Sequence, residues 1–120
     1  MKQILSKLPA LIGALIFSGQ LFASYTCEGE VSGVALIPHS GVLVAERIGP
    51  LEWPHLCSVS KEYNRVSPAT CKHIYSLLLT AQVSGKEVIL WLDDGLNCSK
   101  ESHKPWGDLT GWYFGPKLKD

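Results

Sequence analysis

The sequence predicts a mostly β domain with one helix, in the order β-β-β-α-β-β. Apolar residues recur at helical spacing in a single stretch near the middle of the chain, and β-like runs lie on both sides of it. Four cysteines indicate that disulfides staple the fold. The chain has 120 residues, of which 46% are hydrophobic. That is enough for one small domain and too few for two.

The first 23 residues predict a secretory signal peptide. Two lysines precede an apolar run from Leu8 to Phe17, and the segment ends at Ala23, a small residue of the kind found before a cleavage site. A membrane span needs roughly 20 apolar residues, and polar residues interrupt this run well before that length. We therefore expect a secreted or periplasmic protein without stable membrane insertion, whose single mature domain covers residues 24–120.

The charge balance bears on the partners. Eleven Lys plus Arg stand against eleven Asp plus Glu, and removal of Lys2 and Lys7 leaves nine positive charges against eleven negative ones. A slightly acidic domain cannot neutralise many phosphates, so nucleic acid is not expected as a main partner. An anionic membrane surface is disfavoured for the same reason.

The four cysteines are Cys27, Cys57, Cys71 and Cys98. An even number in an oxidising compartment indicates two disulfides. Their spacings of 30, 14 and 27 residues include no close pair of the kind that zinc sites use, so we expect no metal and no cofactor. Four cysteines allow three connectivities. From the layout of the elements we expect Cys27 to pair with Cys71 and Cys57 with Cys98.

Three β-like runs precede the helix. The first extends from Cys27 to Ile37, and the turn Pro38–Gly41 joins it to a second run, Val42–Ala45, which predicts a hairpin. The third run extends from Trp53 to Val59. Pro54 in this run indicates an edge position or a strand that starts after it.

The helix has clear start and stop signals. Ser67 can cap a helix whose first residue is Pro68, and Gly85 can end it. The strand that follows, Val88–Leu92, is nearly all hydrophobic, which predicts burial on both faces. A loop of about a dozen residues, predicted for Asn97–Asp108, then leads to a last strand over Leu109–Phe114.

This order of elements is that of an OB-fold, a five-stranded barrel. The stretch Ser67–Leu92, SPATCKHIYSLLLTAQVSGKEVILWL, resembles the helix-then-strand segment of a group of small exported bacterial proteins of unknown role. More distantly, it resembles the B subunits of subtilase-type and pertussis-type AB5 toxins. Phe114–Lys117 is similar to the end of some such subunits. The resemblance implies an OB-like fold and a homo-oligomer, a pentamer, and it transfers no sugar-binding residue to this chain.

The candidate site lies on two loops. Trp106 sits in a polar loop, where an aromatic side chain is exposed unless the loop folds back, and binding residues concentrate on loops. In the OB order, this loop and the first hairpin turn flank the usual ligand surface. We therefore expect His39, Ser40, Trp106 and Asp108 to contact a ligand.

No catalytic motif accompanies these residues. The chain contains no Gly-x-Ser-x-Gly, and the predicted disulfides use every thiol. We therefore predict a non-enzymatic, exported binding module that recognises a glycan or a protein through its loop aromatics. The alternative is a stand-alone periplasmic or secreted inhibitor or accessory protein that acts through a protein–protein interface.

Overall fold

The structure is a computed structural model that describes residues 24–120, and the predicted signal peptide lies outside the described residues. The domain is mostly β with one helix, as predicted. Its elements are β1 (Tyr25–Gly29), β2 (Val31–Ser32), β3 (Ala35–Ile37), β4 (Val42–Val44), β5 (Arg47–Ile48), β6 (Leu51–Glu52), β7 (Cys57–Ser58), α1 (Pro68–Ser84), β8 (Val88–Leu92) and β9 (Trp112–Leu118).

The strands form three small antiparallel sheets, with the orders β1-β8-β9, β2-β5-β6 and β3-β4-β7. Closure of these ladders into one five-stranded barrel is not seen among the described residues. Each of the first three strands belongs to a different sheet. Residues 25–37 therefore connect all three sheets, whereas the sequence predicts a single strand over most of this run.

Two features explain why this first run is divided. Gly33 lies between β2 and β3 with a φ of +62°, a left-handed conformation that interrupts an extended strand. The next residue, Val34, donates its backbone N–H to the Gln82 side chain of α1, at 2.9 Å, and to no neighbouring strand. At this break, a side chain of the helix therefore accepts the hydrogen bond that a neighbouring strand would otherwise accept.

Taken as five runs, the strands lie side by side in one order. Each run pairs with the next in the order 51–58, 42–48, 25–37, 88–92 and 112–118. The two ends of this order approach each other at a parallel bridge between His55 and Asp108. There the His55 N–H donates to the Gly107 carbonyl at 2.9 Å, and the Leu109 N–H donates to the His55 carbonyl at 3.1 Å.

The helix begins and ends at the predicted residues. The Ser67 side chain accepts a hydrogen bond from the Thr70 N–H at 3.2 Å, and Pro68 occupies the first turn. Gly85 adopts the left-handed conformation, with a φ of 75°, and donates its N–H to the Ala81 carbonyl. The face with Cys71, Leu78 and Ala81 is buried in the core.

The strand predictions hold in part. The hairpin is confirmed, since β3 and β4 pair across the turn Pro38–Gly41, and β7 starts after Pro54. The prediction that β8 is buried on both faces is wrong, because the half-buried Ile89 and Trp91 alternate with fully buried neighbours. The last strand starts at Trp112 because the chain at residues 107–109 bonds to His55 instead.

The disulfides are Cys27–Cys98 and Cys57–Cys71, so both predicted pairs were wrong. The Cα atoms of the two pairs lie 5.3 and 5.8 Å apart, within the usual range. The first turn of α1 packs against β7, which brings Cys71 to Cys57. The loop after β8 folds back towards β1, the partner strand of β8, and this brings Cys98 to Cys27.

Loss of each disulfide is expected to lower stability according to the length of the loop it closes. The separations are 71 residues for Cys27–Cys98 and 14 for Cys57–Cys71. The chain-entropy argument then gives losses of about 4 and about 3 kcal/mol in the free energy of unfolding. Denaturant unfolding of the two double Cys→Ala variants measures these losses. Peptide mapping without reduction checks the pairing itself, and a Cys27–Cys71 peptide would contradict it.

A second prediction concerns Gly49, where the first two runs touch. A Cβ on Gly49 would lie 3.0 Å from the Glu28 carbonyl carbon, and its φ is +58°. We expect Gly49→Ala to cost at least about 3 kcal/mol, from left-handed strain and forced backbone movement. Gly85→Ala is the matched control, since its φ is +75° and nothing lies within 4 Å. It should cost about 1 kcal/mol. Equal losses in chemical denaturation would show that the close approach is unimportant.

Candidate functional site

Two tryptophans form an aromatic platform on the surface. The rings of Trp53 and Trp106 stack with centroids 4.6 Å apart and planes within 6° of parallel. Trp106 nevertheless remains 54% exposed, and Trp53 is half-buried. The ring of His55 meets Trp106 edge-on, with centroids 6.2 Å apart and an interplanar angle of 89°. One tryptophan thus supports another whose ring stays accessible to solvent. We call this pair the Trp53–Trp106 platform.

Both tryptophans have an unusual backbone. The φ angles are +51° at Trp53 and +68° at Trp106, in a region that residues with a side chain seldom occupy. Such a conformation costs on the order of 1 kcal/mol or more for each residue, and it persists only where the surroundings impose it. Strained positions of this kind cluster at functional sites. The strain therefore supports a role for the platform beyond filling the core.

The strained tryptophans are held by the bridge between the two ends of the strand order. The His55–Gly107 and Leu109–His55 backbone bonds fix the residues that follow each tryptophan. Asn64 adds a further anchor by donating its side-chain amide to the carbonyls of His55 and Leu56, at 2.9 and 3.0 Å. The platform is thus set by main-chain hydrogen bonds on both of its segments.

Asp108 lies beside the platform with one oxygen engaged. Its Oδ1 accepts a short hydrogen bond from the Tyr63 hydroxyl and lies 3.8 Å from His55 Nδ1. Within residues 24–120, no hydrogen bond reaches its second oxygen, and half of the side chain is exposed. Burial, with the hydrogen bond and charge of Asp108, raises the pKa of Tyr63 to about 12. Tyr63 therefore stays a neutral donor that holds Asp108 in place.

A cleft of about 390 Å³ adjoins the platform. Its wall includes Gly107 and Asp108, which directly follow Trp106, and Pro54, which follows Trp53. Charged or titratable side chains that also line the cleft are Glu52, Asp94, His103 and Lys104. The cleft is open to solvent and has both polar and apolar walls, as expected of a surface site for a polar ligand.

A hydrogen-bond network orders the part of the cleft wall that Asp94 and His103 form. The Tyr25 hydroxyl donates to Asp94 Oδ1 at 2.6 Å, and His103 Nε2 lies 3.0 Å from the same hydroxyl oxygen. Because the tyrosine proton goes to the carboxylate, His103 must carry its proton on Nε2 to complete this pair. Burial, with the bond and charge of Asp94, raises the pKa of Tyr25 above its usual range. Asp94 and His103 are thus tied to β1 through Tyr25.

The four predicted site residues fall into two groups. Trp106 and Asp108 lie together at the platform. His39 and Ser40 lie in the β3–β4 turn, where the Ser40 carbonyl accepts a hydrogen bond from the buried Ser58 at 2.8 Å. The turn therefore rests on the far end of β7 from His55. Among the hydrogen bonds and aromatic contacts of residues 24–120, none joins His39 or Ser40 to the platform.

Sequence reasoning missed Trp53, His55 and Tyr63 as site residues. The sequence places Trp53 and His55 in the third β-like run, which gives no sign that they form a site. Their positions become clear only through the parallel bridge, which joins residues 53 apart in the chain. The one local signal was Pro54, because a proline in a β-like run indicates an edge position or a strand that starts after it.

Among residues 24–120, His, Cys, Asp and Glu side chains do not gather in groups of three or more that could hold a metal ion. No helix in that part of the chain is long and apolar enough to cross a membrane.

A scan against protein-family models matched none, and searches of curated proteins and of solved structures found no match either.

The tyrosine–carboxylate pair gives a prediction that spectroscopy can test. Since the pKa of Tyr63 is raised from 10.0 to about 12, the unfolded chain releases this proton first. Stability should therefore fall as pH rises from 10 to 12. Asp108→Asn removes the charge and should lower the pKa of Tyr63, as followed by phenolate absorbance. Asp94→Asn is the control, because it contacts Tyr25 and should leave the Tyr63 titration unchanged. An unshifted titration in Asp108→Asn would count against the pair.

Proposed function

We propose that this protein is an exported, non-enzymatic binding module that recognises a glycan at the Trp53–Trp106 platform. The observation that carries the proposal is the exposed Trp106 ring, which is supported from below by a parallel Trp53 ring. Indole rings offer flat apolar faces against which the C–H groups of a sugar ring can pack. Because Trp53 already holds Trp106 in place, little side-chain entropy remains to be lost on binding.

The neighbours of the platform favour a sugar over a purely apolar ligand. Asp108 offers a free carboxylate oxygen, and Glu52, His103 and Lys104 line the adjacent cleft. Sugar hydroxyls are donors as well as acceptors, so they can satisfy carboxylates and cations together. A ligand that stacks on Trp106 and reaches Asp108 would use both the apolar and the polar parts of the site.

The scaffold proposed with this function is an OB-like barrel. The five runs lie in an order whose outer members approach each other, and the His55–Asp108 bridge is where a barrel of this order would close. In OB-folds, ligands bind on loops and strands of one face. Export is proposed with it, and two disulfides support a location in an oxidising compartment.

The test is a glycan array followed by titration with the best-bound sugar. Trp106→Ala removes the exposed ring and is expected to weaken binding at least about tenfold, since an aromatic contact of this size is worth on the order of 1.5 kcal/mol. Because half of the ring is already exposed, the variant should keep its circular dichroism spectrum and its disulfides.

Phe114→Ala is the matched control. Phe114 is 57% exposed and, like Trp106, packs against a tryptophan, with ring centroids 5.0 Å from Trp91. It should bind the sugar as the wild type does. Equal losses in both variants would mean that the effect is not specific to the platform. An array without any bound glycan, with one protein captured in its place through Trp106, would favour the inhibitor or accessory role.

A further inference from the structure

A second cleft lies next to the segment that carries Asp108, because Thr110 and Gly111 line it. It has a volume of about 480 Å³, and Thr110 lines both this cleft and the one beside the platform. The walls of the second cleft contain one cation and one anion, Arg65 and Asp93. Trp106 and Asp108 are not among its lining residues. It is therefore a separate site, and the proposed glycan recognition makes no use of it.

Arg65 is presented by a tight hairpin turn. Tyr63 and Val66 exchange backbone hydrogen bonds of 3.1 and 2.9 Å, and the two residues between them, Asn64 and Arg65, both have positive φ, at 52° and 66°. A two-residue turn of this kind favours glycine at its second position. An arginine stands there instead. Because Asn64 is tied to the carbonyls of His55 and Leu56, the backbone position of the exposed Arg65 is set by the turn.

Asp93 is fixed on the neighbouring segment. It follows β8 directly, and its backbone N–H donates to the Gly111 carbonyl at 2.9 Å. Among residues 24–120, no ion pair joins Asp93 to Arg65, and neither forms one with another side chain. The wall of one cleft thus carries two exposed, opposite charges that form no ion pair with each other among the described residues.

Apolar and aromatic side chains form part of the remaining wall. Val66, Ile74 and Trp112 are half-buried around the cleft, and Tyr113 is 54% exposed. The Trp112 ring is oriented by a hydrogen bond from its Nε1 to the Gly115 carbonyl at 3.1 Å. An apolar group of a ligand can therefore pack against an indole that lines the same cleft as the two charged side chains.

We propose that this cleft, with Arg65 and Asp93 on its walls, binds a free α-amino acid that has an apolar side chain. The ligand carboxylate pairs with the Arg65 guanidinium, which suits bidentate recognition of that group. Its ammonium group pairs with Asp93, and its side chain packs against Trp112. A simple anion would face Asp93, and a simple cation would face Arg65. A zwitterion satisfies both.

The test uses L-leucine, L-phenylalanine and L-tryptophan, each titrated into the oxidised protein at low salt and followed by amide chemical shifts. At least one is expected to bind saturably, with shifts centred on residues 65, 93 and 110–113. N-acetylphenylalanine and phenylalanine amide, which each lack one charge, should bind at least about tenfold more weakly than phenylalanine. Equal binding of either derivative, or no shift with any of the three amino acids, would overturn the proposal.

Variants assign the two charges. Arg65→Ala and Asp93→Asn should each weaken binding of the amino acid at least about tenfold. Lys72→Ala, which removes an exposed cation of α1 that does not line the cleft, should have no effect. Trp106→Ala should also leave this binding unchanged, which separates the outcome from that of glycan recognition. Retained binding in Arg65→Ala, with the fold intact by circular dichroism, would contradict the assignment.

Discussion

The site depends on how residues 93–111, the segment between β8 and β9, are attached to the rest of the domain. A segment of this length without strands would lose its shape if it were held only at its ends. Three attachments prevent this: the Cys27–Cys98 disulfide, the Tyr25–Asp94 hydrogen bond and the main-chain bonds at His55. Each connects the segment to a different point. They explain how Trp106 keeps a strained backbone on an exposed loop.

Local signals made the helix and the first hairpin predictable. The disulfide pairing could not be predicted in this way. Ser67 and Gly85 act within one turn of their own positions, so their effects can be read from the sequence. The partner of Cys27 depends on the pairing of β1 with β8 and on the path of the chain beyond β8. These contacts span some 70 residues, and no local pattern encodes them. The start of β9 was misplaced for the same reason.

The candidate site shows the same division. Trp106 and Asp108 could be chosen because a polar loop with an aromatic residue is a local feature. The prediction of His39 and Ser40 as site residues depends on the loop positions of an expected barrel. The structure places them in a turn whose Ser40 carbonyl accepts a hydrogen bond from Ser58. Trp53 reaches Trp106 only through the bridge at His55. The sequence thus predicted half of the platform, and its supporting half required the fold.

Strand β9 has a further consequence, for self-association. It is an outer strand of its sheet, and exposed strand edges with aromatic side chains tend to pair with other chains. In β9, however, Pro116 supplies no N–H, and the register with β8 shifts on either side of Trp91. Lys117 adds an exposed charge. These features therefore oppose pairing of β9 with other chains, although Tyr113 and Phe114 lie exposed on it.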